Sequence, residues 1–120
     1  MISKIDLRIL SLMIEKTERL LEVFQKHSRE EIESDYTLSD TIQFEFEKLY
    51  EDSTRLSMEL RFVFGDKLPV EKLRGIRNRV AHNYEEVSLQ ILLDTIEKDI
   101  PLLKADLENI VNSNQSEENK

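Results

Sequence analysis

Residues 2–26, ISKIDLRILSLMIEKTERLLEVFQK, decide the fold class. Apolar side chains recur in this stretch at spacings of three and four, which is the period of one face of an α-helix. The stripe consists of Ile2, Ile5, Ile9, Leu12 with Met13, Leu20, Val23 and Phe24. We therefore expect a first helix over about residues 3–26, with an apolar face that needs partner helices.

The next segments repeat this pattern. Ser28, with Glu31 three residues later, has the capping-box spacing and predicts the start of a short second helix. A third stripe predicts one long helix over about residues 39–64. It consists of Leu38, Ile42, Phe46, Leu49, Leu56, Leu60 and Val63 with Phe64, and Ser53 fills the skipped inward position.

Glycine and proline mark the later boundaries. Gly65 suits the left-handed conformation after a helix end, and Pro69 suits the first turn of a new helix, which we expect over about residues 70–83. Ser88 is expected to cap a last helix. Pro101 falls inside the apolar pattern of that helix and should either kink or divide it.

Composition and length agree with helices. The 120 residues suit one domain, and 39% hydrophobic residues, 35% charged residues, 2 Gly and 2 Pro leave few turn residues for a β-rich fold. Four principal helices with short connections predict an all-α antiparallel bundle of four to five helices. We assign residues 1–111 to this bundle and residues 112–120, which contain no apolar side chain, to a disordered polar tail.

The composition also narrows the classes of function. With 17 basic and 25 acidic residues, a net charge of -8, the chain repels polyanions on average, so any nucleic-acid contact has to be local. The lack of cysteine excludes a thiolate nucleophile and a Cys-based metal site, and the sequence predicts no metal or cofactor. No apolar run approaches the roughly 18–20 residues of a membrane span, and the N-terminus lacks signal-peptide features, so we expect a cytoplasmic protein without a membrane partner.

Four apolar side chains lie outside the main row of the long helix: Phe44, Tyr50, Met58 and Phe62. They either pack against a second subunit or widen the stripe that faces the core, and both interpretations stay open.

One segment departs from the acidic average. Residues 71–82 contain a single acid, Glu71, against four cations, which are Lys72, Arg74, Arg77 and Arg79. This local excess of positive charge predicts a small anion-binding patch.

The same segment ends in side chains suited to phosphodiester chemistry. On a helix, Asn78 and His82 lie about 40° apart, Arg77 and Tyr84 about 20° apart, and Arg77 and His82 about 140° apart, a gap that a long guanidinium arm can span. An imidazole can take a proton from a ribose 2′-hydroxyl, and an arginine fork can hold the phosphate. The residue types alone also fit a solvated helix end whose cations complement the helix dipole.

Residues 73–84, LRGIRNRVAHNY, resemble the motif helix of HEPN-domain proteins, specifically the HepT toxin family. The signature is Arg77, four residues, His82, one residue and Tyr84, with Asn78 directly after the arginine. Residues 94–101 resemble the last helix of the family, and the helix order agrees over about residues 5–110.

The resemblance implies an all-α HEPN bundle that forms a homodimer or higher oligomer, with the motifs of two subunits facing one cleft. It further implies a metal-independent endoribonuclease that acts on RNA as the toxin of a two-gene module, neutralised by a minimal nucleotidyltransferase antitoxin of the MntA type. Carried over to this chain, Arg77 and His82 are catalytic, Asn78 supports the phosphate or the histidine, and Tyr84 accepts AMP. From the local positive charge, and not from the resemblance, we assign RNA-binding roles to Lys72, Arg74 and Arg79, with a solvated helix face as the alternative for the two arginines.

Two alternatives remain. The first is a HEPN module that binds a nucleotide or docks onto its partner without cutting RNA. The intact set of Arg77, Asn78 and His82 favours catalysis over this, because a docking surface needs no titrating group. The second is a helical dimer with an accidental motif. For Tyr84 itself, the alternative to an AMP acceptor is a hydrogen-bonded tyrosine that closes the end of the bundle.

Overall fold

A computed structural model describes residues 2–68, 70–81 and 85–118. They form seven α-helices and one short 3-10 turn, with no strand among them. In chain order these are α1 (Lys4–Lys26), α2 (Arg29–Ser34), α3 (Tyr36–Arg55), α4 (Met58–Val63), the 3-10 turn (Gly65–Lys67), α5 (Val70–Ala81), α6 (Glu85–Lys98) and α7 (Ile100–Glu118). The predicted all-α bundle is confirmed.

The core lies between the five longer helices. α1 packs against α3 and α7, and α5 packs against α3 and α6. Each helix contributes one apolar face to a single continuous cluster. The largest fully buried side chains are Leu10, Met13, Leu20, Ile32, Ile42, Leu49, Leu92, Leu93, Ile96, Ile100, Leu107 and Ile110.

The face of α1 that is buried in the structure differs from the predicted apolar stripe by a rotation about the helix axis. Ile5 is 75% exposed, whereas Leu10 is completely buried and Asp6 is 4% exposed. α1 carries apolar residues on more than one face, so its partners decide which face turns inward. Asp6 is drawn inward because its carboxylate binds the start of α4.

The capping box of α2 is confirmed. Ser28 Oγ accepts a hydrogen bond from the backbone N–H of Glu31 at 3.1 Å, and the Glu31 carboxylate accepts one from the backbone N–H of Ser28 at 3.3 Å. The two residues thereby satisfy donors that the first turn of a helix leaves without partners.

The predicted long helix over residues 39–64 is wrong in one respect, because the chain breaks between α3 and α4. Ser57 caps α4, and the Asp6 carboxylate accepts hydrogen bonds from the Ser57 backbone N–H at 3.0 Å and from its Oγ at 2.5 Å. Arg61 donates to the carbonyls of Ser53 and Thr54 at 3.1 and 2.5 Å, which satisfies the end of α3. The break is stabilised by polar groups that no apolar period reveals.

Two other boundary predictions are corrected. Neither described glycine has a positive φ, and Gly65 begins the 3-10 turn instead of occupying a left-handed position. Ser88 lies inside α6 and does not cap it; its Oγ donates to the carbonyl of Val80 at 2.6 Å. Pro101 follows the break between α6 and α7 and occupies the first turn of α7, where a missing N–H costs no helical hydrogen bond.

The last helix is longer than predicted. α7 continues through residues 112–118, which the apolar pattern assigns to a disordered tail. Asn114 is 2% exposed, and its Oδ1 accepts a hydrogen bond from the backbone N–H of Ile2 at 2.8 Å. A polar side chain thus fixes the end of α7 against the start of α1, a contact that hydrophobic periodicity cannot indicate.

The apolar residues outside the main row of the long segment divide into two groups. Tyr50 is partly buried and packs against the core. Phe44, Met58 and Phe62 are 59%, 73% and 90% exposed. Of these four residues, therefore, Tyr50 alone widens the apolar stripe that faces the core. Within the described ranges, no helix has the length and apolar character needed to cross a bilayer.

Candidate functional site

α5 carries most of the predicted site residues and runs antiparallel to α3. Leu73 and Ile76 are buried and fix α5 against the bundle. Arg77 lies opposite Glu47, whereas Arg74, one turn earlier on α5, lies opposite Tyr50, three residues later on α3. The order of these contacts places the C-terminal end of α5 beside the N-terminal half of α3. His82 and Tyr84 follow α5 directly in sequence and lie outside the described residues.

Arg77 is held by two side chains of α3. Its Nε lies 3.4 Å from Oε1 of Glu47, and its guanidinium carbon lies 5.6 Å from the centre of the Tyr50 ring. That second distance falls within the range of a cation–π contact. The side chain of Arg77 is 44% exposed. The guanidinium therefore contacts two residues of α3 and is still open to solvent.

Arg74 is bound more fully than Arg77. Its Nη1 donates to both carboxylate oxygens of Glu71 at 2.9 and 3.0 Å, and its Nε donates to the Tyr50 hydroxyl at 3.4 Å. The Tyr50 hydrogen bond and the charge of Glu71 raise the pKa of Arg74. Much of its hydrogen-bonding capacity is thus used within the protein, which weakens its case as an RNA ligand.

Lys72 and Arg79 occupy the other flank of α5. They line a surface cleft between α5 and α6, together with Gly75, Asp94, Lys98 and Asp99. Lys72 donates to Oδ1 of Asp99 at 2.7 Å. The structure therefore separates the four cations of the segment into two groups, one facing α3 and one facing α6.

Asn78 lies on the outer face of α5 and is exposed. Around the helix axis it lies about 100° from Arg77 and about 40° from Arg74.

Carboxylates, two of them from outside α5, offset the local positive charge. Glu71, Glu47 and Asp99 each form an ion pair with one of the cations, respectively Arg74, Arg77 and Lys72. Two of these acids are remote in sequence, so the excess counted along residues 71–82 overstates the positive potential of the folded surface. Within the described residues, no three Asp, Glu or His side chains are grouped in a way that could hold a metal ion.

α6 is anchored on both sides of the site. Ser88 is 7% exposed, and its bond to Val80 joins α6 to one of the last carbonyls of α5. On the far side, Arg29 donates to Asp94 at 2.9 Å and to Glu97 at 2.7 Å, which joins α2 to α6. These contacts fix the two helices that flank residues 82–84 in the chain.

Sequence reasoning missed Glu47, Tyr50 and Ser88. Tyr50 was visible as an aromatic residue outside the main row, and Glu47 lies three residues before it on the same flank of α3. This spacing of three residues could have indicated that Glu47 and Tyr50 lie side by side on α3. Ser88 had no distinguishing signal, because a serine before an apolar run fits a helix cap equally well.

A model of the family described as Ribonuclease HepT-like matches residues 13–110. The matched range begins within α1 and ends within α7, so it includes all of α5 and every candidate residue. No curated protein and no solved structure matches the chain.

Proposed function

The chain belongs to the HepT-like ribonuclease family, and from this membership we propose that it is a toxin that cleaves RNA as a metal-independent endoribonuclease. The observation that carries the proposal is the state of Arg77. It lies near the end of α5, its guanidinium is oriented by Glu47 and Tyr50, and its side chain remains 44% exposed. An oriented, accessible guanidinium is suited to binding a phosphodiester through its paired N–H groups.

The chemistry assigns complementary roles to two residues. His82 takes the proton from a ribose 2′-hydroxyl, the 2′-oxygen forms a bond to phosphorus, and the bond from phosphorus to the 5′-oxygen breaks with return of a proton to that oxygen. The products are a 2′,3′-cyclic phosphate and a 5′-hydroxyl. Arg77 stabilises the charge that grows on the phosphate oxygens. The role of His82 rests on the family signature, since this residue lies outside the described part of the chain.

Weaker roles fall to the remaining residues. Lys72 and Arg79 line the cleft between α5 and α6 and supply RNA contacts beside the reaction centre. Asn78, exposed on α5, supports the phosphate or His82, which follows it by four residues in the sequence. Arg74 contributes charge more than direct binding, because Glu71 and Tyr50 already occupy it.

The partner in this proposal is a nucleotidyltransferase antitoxin that transfers AMP to Tyr84. Each transferred AMP adds a negative phosphate and a bulky nucleoside next to a site that has to receive an RNA phosphate. Charge and volume then oppose substrate binding together.

The proposal includes a homodimer in which two α5 ends face a shared cleft. The exposed aromatic side chain of Phe44 supports an interface on α3. A shared cleft would also join two weak positive patches, which helps a protein of net charge -8 to hold RNA.

Cleavage of labelled RNA in EDTA tests the proposal. We expect the wild type to cut, and we expect Arg77→Ala and His82→Ala each to reduce the rate at least about 100-fold, the usual scale of a lost general base or charge-stabilising donor. Arg8→Ala and His27→Ala are the matched controls, because Arg8 is exposed on α1 and His27 follows α1, both outside the site.

The products and the mass of the protein complete this test. Cyclic-phosphate ends on the products support the 2′-hydroxyl mechanism. If a protein whose intact mass shows no modification fails to cut RNA, the proposal is rejected in favour of a module that binds a nucleotide or its partner without catalysis.

A further inference from the structure

We propose that Tyr50 and Glu47 of α3 are positioning residues that orient Arg77 to receive an RNA phosphate. The inference rests on the proposed ribonuclease function. It adds a pair of residues, outside the motif helix, that acts on the reaction through the arginine and not by direct contact with RNA.

The two side chains contact different parts of the same guanidinium. Tyr50 faces it with an aromatic ring at 5.6 Å, and Glu47 lies 3.4 Å from its Nε. A guanidinium is planar, with Nε on one edge and the two Nη groups at its end. A ring contact together with a charge at Nε restricts the orientation of the plane and leaves the Nη end for a ligand. Neither Nη group of Arg77 bonds to any residue that the structure describes.

Tyr50 is well suited to hold a flexible side chain. It is partly buried and packs against the hydrophobic core, so its ring is fixed by the bundle. Its hydroxyl accepts a hydrogen bond from Arg74 Nε at 3.4 Å. The same residue therefore contacts both arginines of this flank, which lie three apart on α5 and repel each other.

Glu47 acts on RNA binding in two opposite ways. Its carboxylate oxygen beside Nε orients Arg77, and its negative charge repels an approaching phosphate, since the carboxylate is 43% exposed. Glu47→Gln retains an oxygen at this position and removes the charge, whereas Glu47→Ala removes both. The two substitutions therefore separate orientation from repulsion.

Kinetic measurements on labelled RNA test the role of each residue. We expect Tyr50→Leu and Glu47→Ala to lower kcat about tenfold, with smaller changes in KM. Tyr50→Phe keeps the ring and should retain kcat within about threefold, and Glu47→Gln should retain kcat and lower KM. Tyr36→Leu is the matched control for Tyr50→Leu, because Tyr36 is 79% exposed.

A double-mutant cycle separates positioning from a general structural role. In an Arg77→Ala background, Tyr50→Leu should cause no further loss of kcat, because the group that it orients is gone. If Tyr50→Leu lowers kcat by the same factor in both backgrounds, the proposal is overturned. It is also overturned if thermal unfolding shows that the fall in kcat of Tyr50→Leu is fully explained by a smaller fraction of folded protein.

An NMR measurement keeps the inference testable if the protein does not cut RNA. The Nε–H signal of Arg77, assigned by its disappearance in Arg77→Lys, should exchange slowly with water and be shifted by the Tyr50 ring. Glu47→Ala should speed its exchange, and Tyr50→Leu should remove the ring shift. A fast-exchanging signal that neither substitution alters overturns the positioning role, whereas absent RNA cleavage with these NMR effects present rejects only the proposed function.

Discussion

Asp6 is a buried carboxylate whose partners lie 51 residues away, at the start of α4. Asp6→Ala leaves the Ser57 backbone N–H without its acceptor inside the protein. A hydrogen bond to a charged group contributes about 1.5–3 kcal/mol, so we expect the free energy of unfolding to fall by about 2 kcal/mol. Urea denaturation at pH 7 should show a lower midpoint with an unchanged slope.

Asp40→Ala is the matched control for this prediction. Asp40 is exposed on α3, so its replacement removes the same charge without a buried partner. Equal stabilities of Asp6→Ala and Asp40→Ala would show that the bonds to Ser57 contribute nothing to folding. The comparison is made between substitutions of one residue type, so the change in net charge cancels.

Single residues also show where sequence reasoning reaches its limit. Arg77 and the cations around it stand out in the sequence because they are adjacent along the chain. Glu47 and Asp99, which pair with Arg77 and Lys72, lie 30 and 27 residues away from these partners. Helical periodicity gives the direction of a side chain on its own helix and says nothing about which acid the opposite helix brings to it.

At the scale of the element, the capping box of α2 makes a prediction about pH. The backbone N–H of Ser28, and then His27, hold the pKa of Glu31 below its ordinary value. A lowered pKa in the folded state means that the contribution of Glu31 to stability is present above its unfolded pKa and is lost as the pH falls through the folded pKa. Ser28→Ala keeps the backbone N–H but removes the serine hydroxyl, whose hydrogen bond also lowers this pKa, so the substitution should raise the pKa of Glu31 by part of the shift.

Carbon-detected NMR of the side-chain carboxyl groups measures this shift across the acid range. Glu22 provides an internal reference, because a hydrogen bond from Lys26 and the charge of that lysine lower its pKa independently of Ser28. A Glu31 pKa that is identical in wild type and Ser28→Ala would contradict the prediction. A parallel movement of Glu22 would point to a change of the whole structure instead.

The existence of the helices was predictable, and several of their ends were not. Local signals such as Ser28 with Glu31 act within one turn, so they were correctly identified. The break at Ser57 and the buried Asn114 involve bonds between elements distant in sequence, and Ser88, inside α6, is bonded to Val80 on the preceding helix. In each case one polar contact decides a boundary, and a polar contact leaves no period in the sequence.

At the scale of the whole molecule, the acidic charge and the paired arginines set limits on RNA binding. The net charge is -8, and at least three of the four cations on α5 are engaged with carboxylates. Few phosphates can then be neutralised by one subunit, which predicts weak affinity for a monomer. Two subunits that face one cleft would double the number of available guanidinium groups.

The antiparallel packing of α3 and α5 indicates which surface could join two such sites. Because Glu47 lies level with Arg77, the preceding turn of α3 lies level with the C-terminal end of α5. Phe44 belongs to that turn and is 59% exposed. Phe62 is 90% exposed on α4, which follows the opposite end of α3. Of these two exposed phenylalanines, Phe44 is the one beside the C-terminal end of α5, so an interface that includes it would bring two α5 ends close together.

Phe44→Glu should therefore convert the proposed dimer to monomers, because a carboxylate buried without a partner at an interface costs several kcal/mol. Phe62→Glu, the same substitution away from the motif, should leave the dimer intact. Sedimentation equilibrium over a range of protein concentrations measures both. We expect RNA cleavage to be lost together with the dimer in Phe44→Glu and to persist in Phe62→Glu. Monomers formed by Phe62→Glu alone would place the interface on α4 and reject a shared cleft, since the two α5 ends would then face apart.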